Sequence, residues 1–249
     1  MIFRQLFEPR SSTYTYLLGC AASGEALLID PVIETLERDL SLLEALGLRL
    51  VCTLETHVHA DHLTAAWALR RRTGCRVAYP EAERVACADL QVNERGPIVV
   101  GTLHLQALHT PGHTPGGQCY LLADREPPLL FSGDVLLIDG CGRTDLDGGD
   151  ATALYASIHA KVLTLPEDTL VYPGHDYNGR RVTTIGQEIA RNPRVGSGRT
   201  QGEFIAIMSR LDLPYPAKID IAVPANRRCD NPAHCGPGSQ SRCGSAANP

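Results

Sequence analysis

Residues 56–62 read THVHADH, which places His57, His59, Asp61 and His62 within six consecutive positions. Further donors follow: His113 in HTPGHTPGG, Asp134 in FSGD and His175 in YPGHD. A single histidine is usually a satisfied or exposed side chain. Three in one loop beside a carboxylate have no packing rationale, and neutral imidazole and carboxylate are metal ligands that suit zinc and iron alike. The donors therefore point to a metal site. Their number leaves open whether it holds one ion, or two that share a hydroxide nucleophile.

Each donor segment follows a strand-like run. Residues 48–54 are nearly continuously apolar, as expected of a strand buried on both faces, and lead directly into THVHADH. Residues 103–108 lead into HTPGH, 129–131 into SGD and 170–172 into PGHD. Loops at one sheet edge converge even when far apart in sequence. Residues 14–19 and 26–30 read as a hairpin, and 76–79, 98–100 and 118–122 as further strands. Helical spacing marks residues 34–46, ended by Gly47, then 63–72, ended by Gly74, then 152–163, 182–191 and 201–211. Strands interleaved with helices predict a layered α/β or α+β domain over residues 1–228. Residues 229–249, rich in Gly, Ser, Pro, Asn and Cys, are expected to form a loosely held tail.

Composition narrows the function classes. Lys+Arg 23 against Asp+Glu 28 gives a net charge of −5, and no basic run offers a nucleic-acid or anionic-membrane footprint. No apolar run approaches the roughly 20 residues of a membrane span, and the N-terminus lacks a secretory signal. The nine cysteines are odd in number. Cys20, Cys52, Cys75, Cys87, Cys119 and Cys141 lie mostly in or beside apolar runs, which suits reduced buried thiols and a cytoplasmic location. In the tail, Cys229, Cys235 and Cys243 with His234 lack a CxxC pair and are poorly spaced for zinc.

Taken in order, THVHADH, HTPGHTPGG, FSGD and YPGHD resemble the metallo-β-lactamase superfamily, up to about residue 228. The resemblance implies an αββα four-layer sandwich with the metal at one edge of two central sheets. In the dinuclear hydrolases of that superfamily, His57, His59 and His113 would hold one metal, Asp61, His62 and His175 the other, and Asp134 would bridge. On ligands alone the chain is similar to a two-zinc thioester hydrolase of the glyoxalase II kind. Other segments differ from that group. GCGRTD at 140–145, GHDYNG at 174–179 and IDIAVPANRRC at 219–229 resemble the persulfide dioxygenases.

That subgroup implies oxidation of glutathione persulfide by O2 to sulfite, with release of glutathione, at one Fe(II) per chain. His57, His113 and Asp134 would form the two-His, one-carboxylate facial triad of non-haem Fe(II) oxygenases. His59, Asp61, His62 and His175 would surround it without ligating. Arg143, Tyr177 and Arg194 would line the glutathione pocket, where arginine suits a carboxylate-bearing substrate. A homodimer is common in the resembled family. A non-catalytic sulfur- or metal-binding protein is the third class, and would bind sulfur without turnover.

Overall fold

Side chains along residues 13–20 alternate between two partners, and that alternation builds the layers. The computed structural model describes residues 1–228. β1 (Ile2–Glu8), β2 (Thr13–Cys20) and β3 (Glu25–Ile29) pair antiparallel, and β4 (Arg49–Leu54), β5 (Arg76–Pro80) and β6 (Leu90–Val92) extend the same sheet in parallel. A second sheet runs β12-β11-β10-β9-β8-β7, built from β7 (Ile98–Val100), β8 (Leu103–His109), β9 (Gln118–Leu122), β10 (Leu129–Gly133), β11 (Leu170–Pro173) and β12 (Thr183–Thr184).

Tyr16 and Leu18 point inward with Leu27, Ile29 and Leu54 and meet Tyr120, Leu122 and Phe131 of the second sheet. Leu17 and Leu28 point the other way, onto Leu36 and Leu43 of α1 (Leu36–Ala45) and Leu69 of α2 (Ala66–Thr73). On the far side, Leu121, Leu130 and Val171 carry Leu154 of α3 (Ala151–Ser157), Ile185 of α4 (Ile185–Arg191) and Phe204 of α5 (Gln201–Met208). The order helix, sheet, sheet, helix is the expected αββα sandwich.

The β3–β4 register shifts between Ala26 and Leu27. One extra residue reverses facing along a strand. Leu50 accordingly joins the helix-side cluster, whereas Cys52 and Leu54 join the inter-sheet cluster. That parity is carried straight into Glu55, Thr56 and His57.

Several elements differ from the sequence expectations. β1 and β6 are edge strands that the apolar pattern does not mark. The helix expected from residue 63 begins at Ala66, because Thr64 bridges to Val32 and Ala65 N–H donates to Pro31 O at 2.7 Å. Helix 152–163 is α3 followed by a π-type turn, Ile158–Val162. α6 (Ile219–Arg228) lies where sequence gives no helix, since it holds Pro224 in its interior. Cys20, Cys52, Cys75, Cys119 and Cys141 are buried free thiols, as expected. Cys87 is instead disulfide-bonded; it sits beside α6, its Sγ 3.8 Å from Arg227 O, and not inside a strand. The expected tail at 229–249 lies outside the described residues. No helix among the described residues is long and apolar enough to cross a membrane.

One buried charge makes stability pH-dependent. Asp39 on α1 is fully buried and accepts from Arg38 Nε at 2.8 Å. Burial outweighs Arg38 and pushes its carboxyl up from 3.8 to about 6. Between those values the unfolded chain loses its proton first, so stability falls as pH rises through the window and the loss is complete above it. At 1.36 kcal/mol per pKa unit the effect is about 3 kcal/mol. Asp39→Asn is expected to raise the urea midpoint at pH 8 and leave it nearly unchanged at pH 4. A variant that follows the parent's pH profile would contradict this account.

Candidate metal centre

The loop after β4 is folded around one carboxylate. Asp30, the residue after β3, is 1% exposed and takes a positive φ of 49°. Its Oδ1 accepts from Thr56 N–H at 2.7 Å and its Oδ2 from Thr56 Oγ1–H at 2.8 Å. The same Oδ1 lies 3.1 Å from His59 Nε2, and Glu55 Oε2 lies 3.2 Å from it. Glu55 is fully buried, and its Oε1 accepts from Thr64 Oγ1–H at 2.6 Å. His59 Nε2–H is thus fixed between two carboxylates. Because the Thr56 hydroxyl proton goes to Asp30, Thr56 Oγ1 accepts from His57 Nδ1–H at 3.0 Å, which leaves the His57 Nε2 lone pair free.

The second loop is set by main-chain groups. His113 Nδ1–H donates to Arg143 O at 2.7 Å, and its Nε2 lies 3.5 Å from Asp134 Oδ2. Gly142 N–H donates to Asp134 O at 2.7 Å. A Cβ at Gly142 would fall 2.2 Å from Asp134 O and 2.9 Å from His113 Cγ, so only glycine fits there. His175 Nδ1–H is shared by Ser11 O and Ser12 O, both at 3.2 Å. Its Nε2 faces Asp134 Oδ1 at 3.6 Å and Asp61 Oδ2 at 3.7 Å. His62 Nδ1 lies 3.0 Å from Asp61 Oδ2.

All seven donors predicted from sequence come together. Ligand atoms of His57, His113 and Asp134 lie within 4.8 Å of one another, and so do those of His59, Asp61 and His62. His59 Nδ1, His62 Nε2 and Asp134 Oδ1 are buried without a hydrogen-bond partner. An unmet buried polar atom costs about 1–3 kcal/mol, and a bound cation removes that cost. The donor set fits a metal ion, and the site is a metal centre.

The field within it is uneven. Burial, with His59 and His113 close by, holds His57 well below the usual histidine range. Burial also opposes charge on His59, but Asp30 and Glu55 outweigh it and raise His59 well above that range. For Asp61, burial is outweighed by His62 and His175, which hold the carboxyl well down. His175 is raised, against burial, by Asp134 and Asp61.

The expected substrate residues are placed differently from one another. The Arg143 guanidinium is engaged: Nε and Nη2 donate to Asp145 at 2.7 and 2.6 Å, Nη1 to Pro214 O at 2.7 Å and Nη2 to Leu213 O at 3.3 Å. It fastens the 213–214 backbone, while its own carbonyl orients His113. Arg194 Nη1 donates to Cys141 O at 2.7 Å and holds the GCG turn. Burial pushes the Cys141 thiol up to about 11, so it is kept neutral. Tyr177 is 74% exposed, and its ring stacks parallel to His175 at 6.1 Å. Sequence reasoning missed Asp30, Glu55 and Gly142. A carboxylate directly before THVHADH and another at the preceding strand end were the signals available for the first two.

Residues 9–175 match the Metallo-beta-lactamase superfamily. The chain belongs to this superfamily. Within it, the chain is 48% identical to the mitochondrial persulfide dioxygenase ETHE1 of Mus musculus, over 92% of this chain and 89% of that protein. The Homo sapiens counterpart is 47% identical over the same shares. Among solved structures, ETHE1 from Myxococcus xanthus superposes with a TM-score of 0.88 at 51% identity, covering 93% of this chain and 100% of that one. The metallo-beta-lactamase fold thus explains why four separated loops share one edge of the sandwich.

Gly142→Ala is expected to expel either Asp134 or His113 from its position. Metal affinity, read by competition with a chelator, should fall at least about tenfold, the scale seen when groups that orient metal ligands are lost. Parental affinity would refute the packing argument.

Proposed function

We propose that the chain is a glutathione persulfide dioxygenase with one iron held by His57, His113 and Asp134. The observation that carries this is its likeness to persulfide dioxygenases over nine-tenths of its length, with 92% of the chain aligned. The reaction breaks the S–S bond of the persulfide. Dioxygen and a water supply the oxygens of sulfite, and glutathione leaves as the thiol. A bound Fe(II) would supply a redox-active ion to which the persulfide sulfur and O2 could both bind, whereas zinc has no accessible redox change.

The chain's own residues prepare that site. Thr56 and the Arg143 carbonyl hold the Nδ1–H groups of His57 and His113, so that both Nε2 lone pairs face inward. Asp30 and Glu55 hold His59 by its Nε2–H and raise its affinity for a proton. Its placement outside the ligand set follows the likeness to the persulfide dioxygenases. Asp61, His62 and His175 then bind water and protons around the ion. Arg194 and Tyr177 face the anionic tripeptide, and Arg143 shapes the wall through residues 213–214. The homodimer and the cytoplasmic location belong to the same proposal; the mouse and human relatives are mitochondrial by name.

Iron-loaded protein is expected to contain about one iron per chain and to consume O2 only when glutathione persulfide is added. Asp134→Ala should remove both iron and O2 uptake, whereas His59→Asn should keep most of the iron. Two metals per chain with hydrolysis of S-lactoylglutathione in the absence of O2 would instead establish the glyoxalase II-like alternative. Separately, Arg194→Met is expected to raise KM for glutathione persulfide about tenfold, as for loss of a charge-assisted hydrogen bond of about 1.5 kcal/mol, and also to lower kcat, because Arg194 holds the GCG turn against the metal loops. Steady-state kinetics read both terms.

A further inference from the structure

The motif IDIAVPANRRC supplies no ligand, yet its described part, α6, reaches both histidine loops. Asn226 is 2% exposed and faces the metal loop. Its Nδ2 donates to His59 O and to His62 O, each at 3.0 Å, and its Oδ1 accepts from Thr64 N–H at 3.0 Å. Two carbonyls directed at one point repel each other. A carboxamide answers both with two N–H donors and still offers an acceptor to the next amide. Aspartate at this position would set oxygen against oxygen.

Arg227, the next residue, does the same for the other loop. Its Nη1 donates to Glu83 O at 2.8 Å and its Nη2 to Glu83 Oε2 at 3.1 Å. The other Glu83 oxygen accepts from Thr114 Oγ1–H at 2.6 Å. Thr114 directly follows His113. Gly116 packs so closely on this strap that a Cβ there would lie 2.5 Å from Glu83 N. Successive residues of one helix thereby fasten the segments carrying His57 and His113.

We propose that α6 is a clamp on the metal centre, in which Asn226 is a positioning residue for the His57–Thr64 loop and Arg227, through Glu83 and Thr114, for the His113 loop. The clamp's effect on iron rests on the function proposed above; its effect on the loops does not. The test uses Asn226→Ala, the isosteric Asn226→Asp, Arg227→Met, and Ile221→Ser on the exposed face of α6 as a control. In metal-free protein, hydrogen exchange should accelerate at the Thr64 amide and its neighbours in both Asn226 variants, and at residues 112–117 in Arg227→Met. In the iron-loaded enzyme, release of iron to a ferrous chelator should quicken on the order of tenfold, the scale of a lost outer hydrogen-bonding partner, with kcat lowered and KM little changed. Ile221→Ser should match the parent. Exchange that rises evenly along the chain, or iron release at the parental rate, overturns the proposal. If the Asn226 variants do not fold, the half-exposed Arg227→Met decides it on the same two readouts. Absence of O2 uptake in the parent protein would sink the dioxygenase reading while leaving the exchange result to judge the clamp.

Discussion

The metal loop depends on a single buried carboxylate. Asp30 receives the amide and hydroxyl of Thr56 and faces the imidazole of His59, at 1% exposure. Removing the partners of a buried charge costs roughly 3–5 kcal/mol, because the charge cannot be resolvated in place. The contacts therefore hold one another. Thr56 cannot turn without stranding Asp30, and when Thr56 is fixed, His57 Nδ1 is fixed with it. A backbone conformation that most side chains avoid, φ of 49°, brings Asp30 to this spot; aspartate tolerates it better than most residues do.

That carboxylate arrives where it does because of the sheets. The register shift between β3 and β4 sets which face Leu54 occupies, and so the direction in which Glu55 and Thr56 leave the strand. A strand without the shift would direct them to the opposite face. On the other sheet, β10 delivers Asp134 and β11 delivers His175, and the parallel pairing of these two strands brings their C-terminal ends side by side. The site is therefore a property of strand ends. The inter-sheet core of Tyr16, Leu54, Tyr120 and Phe131 keeps those ends at a fixed separation.

Much of this was legible in sequence. The seven donors could be found because metal ligands are chemically distinctive and because each followed an apolar run. The αββα layering came with the motifs. The supporting carboxylates were legible by position alone: Asp30 and Glu55 stand at strand ends, and their role shows only when the fold buries them. Sequence marks Arg143 as a cationic candidate for the substrate pocket but does not show that Asp145 and the carbonyls of Leu213 and Pro214 take up its donors. α6 was hidden by Pro224, which local propensity reads as a breaker. Its Asn226, Arg227 and buried Ala222 face the body of the protein, so tertiary contacts supply what propensity does not.

The donor inventory alone does not distinguish a dioxygenase from a two-metal hydrolase. All seven groups point inward, and both sets of ligand atoms are clustered. A ligating histidine must present a lone pair, which requires its proton to sit on the other nitrogen with a suitable acceptor. His57 and His113 meet this condition with one neutral acceptor each, Thr56 Oγ1 and Arg143 O. His175 meets it with the carbonyls of Ser11 and Ser12, and His59 with the carboxylates of Asp30 and Glu55 on Nε2. Carboxylate partners make an imidazole a stronger ligand, so the groups behind the donors leave each of them competent to bind. What separates the two chemistries is therefore which metal is bound and how many ions, not the partners of the imidazoles.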